Sequence, residues 1–183
     1  MERSSAVKFN AKPAAKTALV INIARPALSK VSRTASGQII TETGQRANLI
    51  AIVCDEMLKD LPSERRVLTK EEVSHALKNQ AISETLLGWS KLTDDKQAIR
   101  LDRIIVYATV ETGKFKLSEV MTVLDEHEYD YSTDQLTQSL ARLELAFIIR
   151  RENSVYHYCV PLFREILLGQ EVDMLLKHEL KMR

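Results

Sequence analysis

A chain of 183 residues, 45% hydrophobic and 28% charged, can bury a real core and is not a disordered chain. No apolar run approaches the ~20 residues needed to span a bilayer, and the opening MERSSAVKFN lacks the short apolar core of a secretory signal. The formal charge of +1 hides an asymmetry: residues 1–50 hold eight Lys or Arg against Glu2 and Glu42, giving +6, so residues 51–183 carry −5.

The acid-poor start, residues 1–34, reads as a basic arm. A solvated terminus is its plainest account, beside a nucleic-acid arm, a membrane-surface helix or a transit peptide. Pro13 and Pro26 limit any continuous helix there, and Thr17 to Ala24 is apolar enough to pack. Ser36 to Thr43 reads as a short helix closed by Gly44, the residue that most easily takes a left-handed cap. Asn48 to Lys59 is a second helix, apolar around too much of its circumference to lie on a surface. Leu61-Pro62-Ser63 breaks it. Thr69 and Glu72 form a capping box for a third helix with Val73, Ala76 and Leu77 inward. Ser83 to Trp89 adds a helical turn or two, and Trp89 is expected to be a packing anchor. Residues 35–92 are thus expected to form a helical domain.

Asp94 or Thr93 is expected to cap a long helix running to Thr112, with Gly113 as its stop and Lys114-Phe115-Lys116 as a small edge strand. From Ser118, the residues Val120, Met121, Val123 and Leu124 cluster on one face at about 3.6 residues per turn, and that helix ends near His127. Ser132 and Gln135 form a capping box for the next helix, whose inward row is Leu136, Leu140 and Leu143; Thr133, Gln138 and Arg142 are expected to point elsewhere. Phe147 to Arg151 and Val155 to Val160 are β-rich runs around the turn Glu152-Asn153-Ser154, and Pro161 stops their ladder. Leu162 to Leu180 reads as one terminal helix interrupted at Gly169. Residues 93–183 therefore have the order of a winged helix-turn-helix with a C-terminal helix. The fold expected is mainly α: a small helical bundle, then a winged helix-turn-helix with a short β-hairpin.

The run Glu42-Thr43-Gly44-Gln45-Arg46-Ala47-Asn48-Leu49-Ile50, followed by Cys54-Asp55-Glu56-Met57-Leu58, resembles a segment of the AAA+ and STAND-type ATPases, in their helical lid domain behind the nucleotide site. The capped helix at Thr69-Lys70-Glu71-Glu72-Val73 resembles the next lid helix. Relatives of the origin-recognition ATPases place a winged helix directly after the lid, and Tyr156 to Glu165 resembles its last strand and terminal helix. The resemblance covers roughly residues 36–168 and implies the C-terminal half of an ATPase. Its departures define the expectation further. No G-x-x-x-x-G-K-S/T run is present to cradle a triphosphate. Gln45-Arg46-Ala47 stands where the family commonly has a Gly-His-Pro-like sequence, and Arg46 is the nearest candidate to a phosphate-sensing arginine, a solvated side chain being its ordinary account.

No catalytic constellation, cofactor site or metal site is expected. His75, His127, His157 and His178 are scattered, and the Asp125-Glu126-His127-Glu128 cluster has solvated charge as its ordinary explanation. Cys54 and Cys159 lie in apolar contexts, as buried free thiols of a reducing, cytoplasmic compartment would. Ser118 to Asp134 contains six acids and no Lys or Arg. Phosphate neutralisation supplies most non-specific DNA affinity, so this segment opposes duplex binding. The expectation is a non-enzymatic regulatory or assembly module acting through protein partners, an ATPase core or a second copy. The alternative is a DNA-binding regulator using the basic arm and wing. Gln135, Gln138 and Arg142 on the recognition helix, with Arg150 and Arg151 at the wing, are its candidate contacts.

Overall fold

The structure, a computed structural model, describes residues 30–31, 33–59 and 67–181. The basic start before Lys30 and the Leu61-Pro62-Ser63 break lie outside these residues. The described chain is mainly helical, with nine α-helices, a three-stranded antiparallel sheet and a two-residue parallel pair of β1 (Lys30–Val31) with β2 (Val67–Leu68).

Helix α1 (Arg33–Glu42) starts three residues earlier than the expected Ser36 and ends as expected at Gly44. There the Gly44 N–H donates to Thr41 O at 3.1 Å and the Gln45 N–H to Ile40 O at 3.0 Å, with Gly44 at φ +58°. This closure satisfies two carbonyls that the helix end would otherwise leave without partners. Helix α2 (Ala47–Lys59) buries Leu49, Ile50, Val53 and Met57. Helix α3 (Lys70–Leu77) buries Val73, Ala76 and Leu77, and the Thr69 N–H donates to Glu72 Oε2 at 2.7 Å at its start. Asn79 then caps α4 (Gln80–Leu87), its Oδ1 accepting from the Ala81 N–H at 2.9 Å while its Nδ2 reaches Glu56 Oε2 on α2 at 2.7 Å. A 3₁₀ turn over Gly88–Lys91 carries Trp89, which is buried edge-on against Tyr107 at 5.8 Å and Phe163 at 5.7 Å. Trp89 is the packing anchor its sequence context suggested.

Helix α5 (Lys96–Thr109) is capped one residue later than expected, by Asp95, whose Oδ1 accepts from the Gln97 and Ala98 N–H groups at 2.9 and 3.3 Å. Its last helical residue is Thr109, and the expected stop Gly113 stands at φ +72° with its N–H donating to Thr109 O at 3.3 Å; Arg164 satisfies the carbonyls between, its Nε donating to Val110 O and its Nη2 to Glu111 O, both at 3.0 Å. The chain continues through β3 (Lys114–Phe115), α6 (Leu117–Glu126), α7 (Thr133–Leu145), β4 (Ile149–Glu152) and β5 (Val155–Tyr158). The sheet order is β3-β5-β4, with Phe115 opposite Tyr156 and Arg150 opposite His157. This is a helix-turn-helix flanked by a small sheet whose last two strands form a hairpin, the element order of a winged helix.

Pro161 does more than stop a strand. It is the first residue of α8 (Pro161–Leu168), where its missing N–H has no helical acceptor to lose. The terminal segment is two helices, α8 and α9 (Val172–Lys181), the second bound to α5 by Arg100 Nε donating to Glu179 O and by Arg103 Nη1 to Glu179 Oε1 at 3.1 Å. Leu167 and Val172 enter the core, whereas Leu168 and Met174 are exposed. The apolar core runs without a break from Ala35 in α1 to Val172 in α9.

Two further helices close as α1 does, without glycine. At the end of α6 the Glu128 N–H donates to Asp125 O and the Tyr129 N–H to Leu124 O, with Glu128 at φ +52°. At the end of α7 the Phe147 N–H donates to Glu144 O and the Ile148 N–H to Leu143 O, with Phe147 at φ +55° and its side chain exposed.

Candidate functional site

The candidate site is the helix-turn-helix, and its geometry follows from how α7 is seated on α5. Ser132 and Gln135 form the expected capping box: Ser132 Oγ accepts from the Gln135 N–H at 3.1 Å and Gln135 Oε1 from the Ser132 N–H at 2.8 Å. Leu136, Leu140 and Leu143 are buried as expected, and Ser139 is buried with them at 0% exposure. Ser139 extends the inward face towards the polar side of the helix, and Arg142, one turn on, follows it in.

Arg142 is thus not on the solvent face. Its Nε donates to Asp102 Oδ2 at 3.1 Å and its Nη2 to Asp102 Oδ1 at 2.9 Å, with Ser139 Oγ at 2.7 Å from the same Nη2. Asp102 is 3% exposed, in the middle of α5 between Leu101 and Ile104. Burial pushes its carboxyl above the ordinary value, and the hydrogen bonds from Arg142 and Ser139 only partly offset that. The guanidinium expected to read bases is instead the partner that makes a buried carboxylate tolerable.

Gln135 and Gln138 are exposed at the N-terminal end of α7, and with Arg142 they line one cavity of about 220 Å³ against the start of α5 and the α6–α7 turn. Arg150 and Arg151 lie apart from them, on the exposed edge strand β4. Arg150 pairs with Glu152 at 3.1 Å; Arg151 Nε donates to Asn153 O at 3.0 Å, and its guanidinium lies 5.8 Å from the centre of the Tyr156 ring. The Arg151 N–H, on the outer edge of β4, donates to Glu144 Oε1 at 2.9 Å, which blocks one pairing group of that edge. Arg46 is half-buried just after the Gly44 turn, and its charge acts on the Cys159 thiol.

The surface around α7 carries Glu119, Asp125, Glu126, Glu128, Asp130 and Asp134, all exposed and none in an ion pair among the described residues. His127 Nδ1 is 2.9 Å from Val123 O, and no group of three metal-ligating side chains occurs among the described residues. Cys54 and Cys159 are free and half-buried, and burial pushes both thiols up. The described helices include none long and apolar enough to cross a membrane.

Asp102, Ser139 and Tyr129 are the site residues that sequence reading missed. The available signal was Asp102 itself, a carboxylate one turn from Ile105 and Val106 on the same helix face, where burial needs a cationic partner. Comparison with family models, with curated proteins and with solved structures finds no match for this chain.

Proposed function

We propose that this chain is a non-catalytic regulatory or assembly module of an AAA+/STAND-like ATPase that acts through protein–protein contacts of its helix-turn-helix. One observation carries the reading: the outer surface of α6, the turn and α7 presents six exposed carboxylates, while the arginine of α7 is held inward by Asp102. Each phosphate contact adds about 0.9 to the salt slope of duplex binding, so a surface with no free cation and six like charges opposes it. The ATPase part of the reading rests on the lid-like run Glu42 to Ile50, followed by Cys54 to Leu58. With no phosphate loop in the chain, nucleotide chemistry belongs to the partner.

The exposed Arg150 and Arg151 favour the second reading, a DNA-binding regulator. A salt titration of duplex binding separates the two. The expected result is weak binding with no sequence preference, strengthened when Glu126, Asp130 and Asp134 are each changed to Lys. Sequence-selective binding that is weakened by Arg150→Ala and Arg151→Ala would establish the second reading instead. MgATP hydrolysis by the chain alone would contradict the first.

A further inference from the structure

The cavity between the start of α5, the α6–α7 turn and α7 has the makings of a ligand site that does not depend on the protein-contact reading. Its volume of about 220 Å³ is below the roughly 300–1,000 Å³ of sites for drug-sized ligands, which sizes its occupant as a small planar group. Arg142 lines it, with Asp102 behind. Two nitrogens of the guanidinium are committed: Nε and Nη2 hold Asp102, and Nη2 also holds Ser139. Nη1 has no hydrogen-bond partner among the described residues, and neither has the Gln138 carboxamide or the Tyr129 hydroxyl, both on the cavity lining. The buried Asp102–Ser139–Arg142 network thus ends, at the cavity, in donors and acceptors with no protein partner among the described residues.

Charge decides what those groups can take. Asp102 cancels the charge of Arg142, and the exposed Asp95 and Asp130 leave the lining negative. A phosphate or carboxylate would therefore meet two carboxylates on a lining whose own cation, Arg142, is already paired. A cation would meet the N–H groups of Arg142. A neutral group offering an acceptor beside a donor meets neither penalty.

The geometry points to a binding site for an uncharged carboxamide, either open-chain or within a ring. Its carbonyl accepts from Arg142 Nη1, and its N–H donates to the Gln138 side-chain oxygen. The lining tyrosine Tyr131 supplies flat apolar surface for the rest of the ligand, while the Arg100 guanidinium lies over the Tyr129 ring, 5.0 Å from its centre.

The test follows side-chain NMR signals of Arg142 and Gln138 in the full chain during titration with acetamide, uracil and acetate. Acetamide represents the open-chain source, uracil the ring source, and acetate is the charged control. Expected are saturable shifts with at least one amide, in the millimolar range proper to so small a ligand, and none with acetate. Gln138 is exposed, so Gln138→Ala leaves the fold intact, and it should weaken binding about fivefold, the loss of one net hydrogen bond. Saturation by neither amide, equal saturation by acetate, or full affinity in Gln138→Ala would each overturn the proposal. If only one amide saturates, that arm identifies the source.

Discussion

The Asp102–Arg142 pair makes the sharpest demand on stability measurements. Asp102→Asn keeps the shape of the side chain and removes its charge, leaving the Arg142 guanidinium one neutral acceptor at residue 102 and setting the new amide N–H groups against its other N–H. Removing one partner of a buried pair costs about 3–5 kcal/mol. The Arg142 side chain retains 23% exposure, so water relieves part of the penalty and the low end, about 3 kcal/mol, is expected. For a chain of this size that is a fall in Tm of about 6–12 °C. Urea denaturation and calorimetry of both proteins measure it. The double change Asp102→Leu with Arg142→Met should recover most of the loss, because apolar residues of similar volume commonly replace a buried ion pair without net cost. The pH dependence has a defined sign. A carboxyl whose folded pKa lies above its unfolded value of about 3.8 contributes stability that is full below that value and is lost as pH rises through the folded one. Asp102→Asn should remove this contribution. A cost below about 1 kcal/mol for Asp102→Asn, the range of an exposed ion pair, would refute the reasoning.

Four other outcomes are expected. Phe147→Gly should stabilise the fold by about 0.5–1 kcal/mol, since the left-handed residue costs about 1–2 kcal/mol and glycine's extra backbone entropy returns part of it; a loss of stability in urea would show that the 64%-exposed ring is held by contacts. Gly44→Ala should cost about 2–5 kcal/mol, from φ +58° together with the backbone of Cys159 at 2.1 Å, and Gly37→Ala, where a Cβ meets nothing within 4 Å, should instead gain about 1 kcal/mol. Ser132→Ala should lose about 1 kcal/mol through the cap of α7, measurable by thermal melting. Cys54 and Cys159, pushed up by burial, should react with a thiol reagent near pH 8 more slowly than free cysteine, and unfolding should erase the difference.

Local chemistry made some features legible. Ser132 and Gln135 satisfy each other's N–H groups within three residues, Gly44 needs no Cβ, and Leu136, Leu140 and Leu143 repeat at the helical period. The ends of α6 and α7 lacked such a signal, because Glu128 and Phe147 occupy left-handed positions that sequence statistics reserve for glycine. What holds α7 in that closure is tertiary: Leu143 and Ile148, the two residues its 3.0 Å backbone bond joins, are both buried. The cap of α5 was expected at Asp94 or Thr93, and the adjacent Asp95, a residue of the same capping type, takes it instead. Arg142 was misplaced because the apolar row alone defined the inward face; Ser139 widens that face by a polar residue, which periodicity of apolar side chains cannot register.

A buried ion pair can often be replaced by apolar residues of similar volume without loss of stability, so the pair is set apart by a second consequence of its geometry. Asp102 fixes the Arg142 guanidinium from one side, aligns α7 on α5, and leaves Nη1 open at the cavity. An apolar pair of similar size would align the helices equally well but would supply no donor. The two roles therefore separate in a single variant: Asp102→Leu with Arg142→Met should melt close to the parent and yet show no saturable response to acetamide or uracil. A double variant that keeps the fold and still binds either amide would place the ligand elsewhere and return the ion pair to a purely structural part.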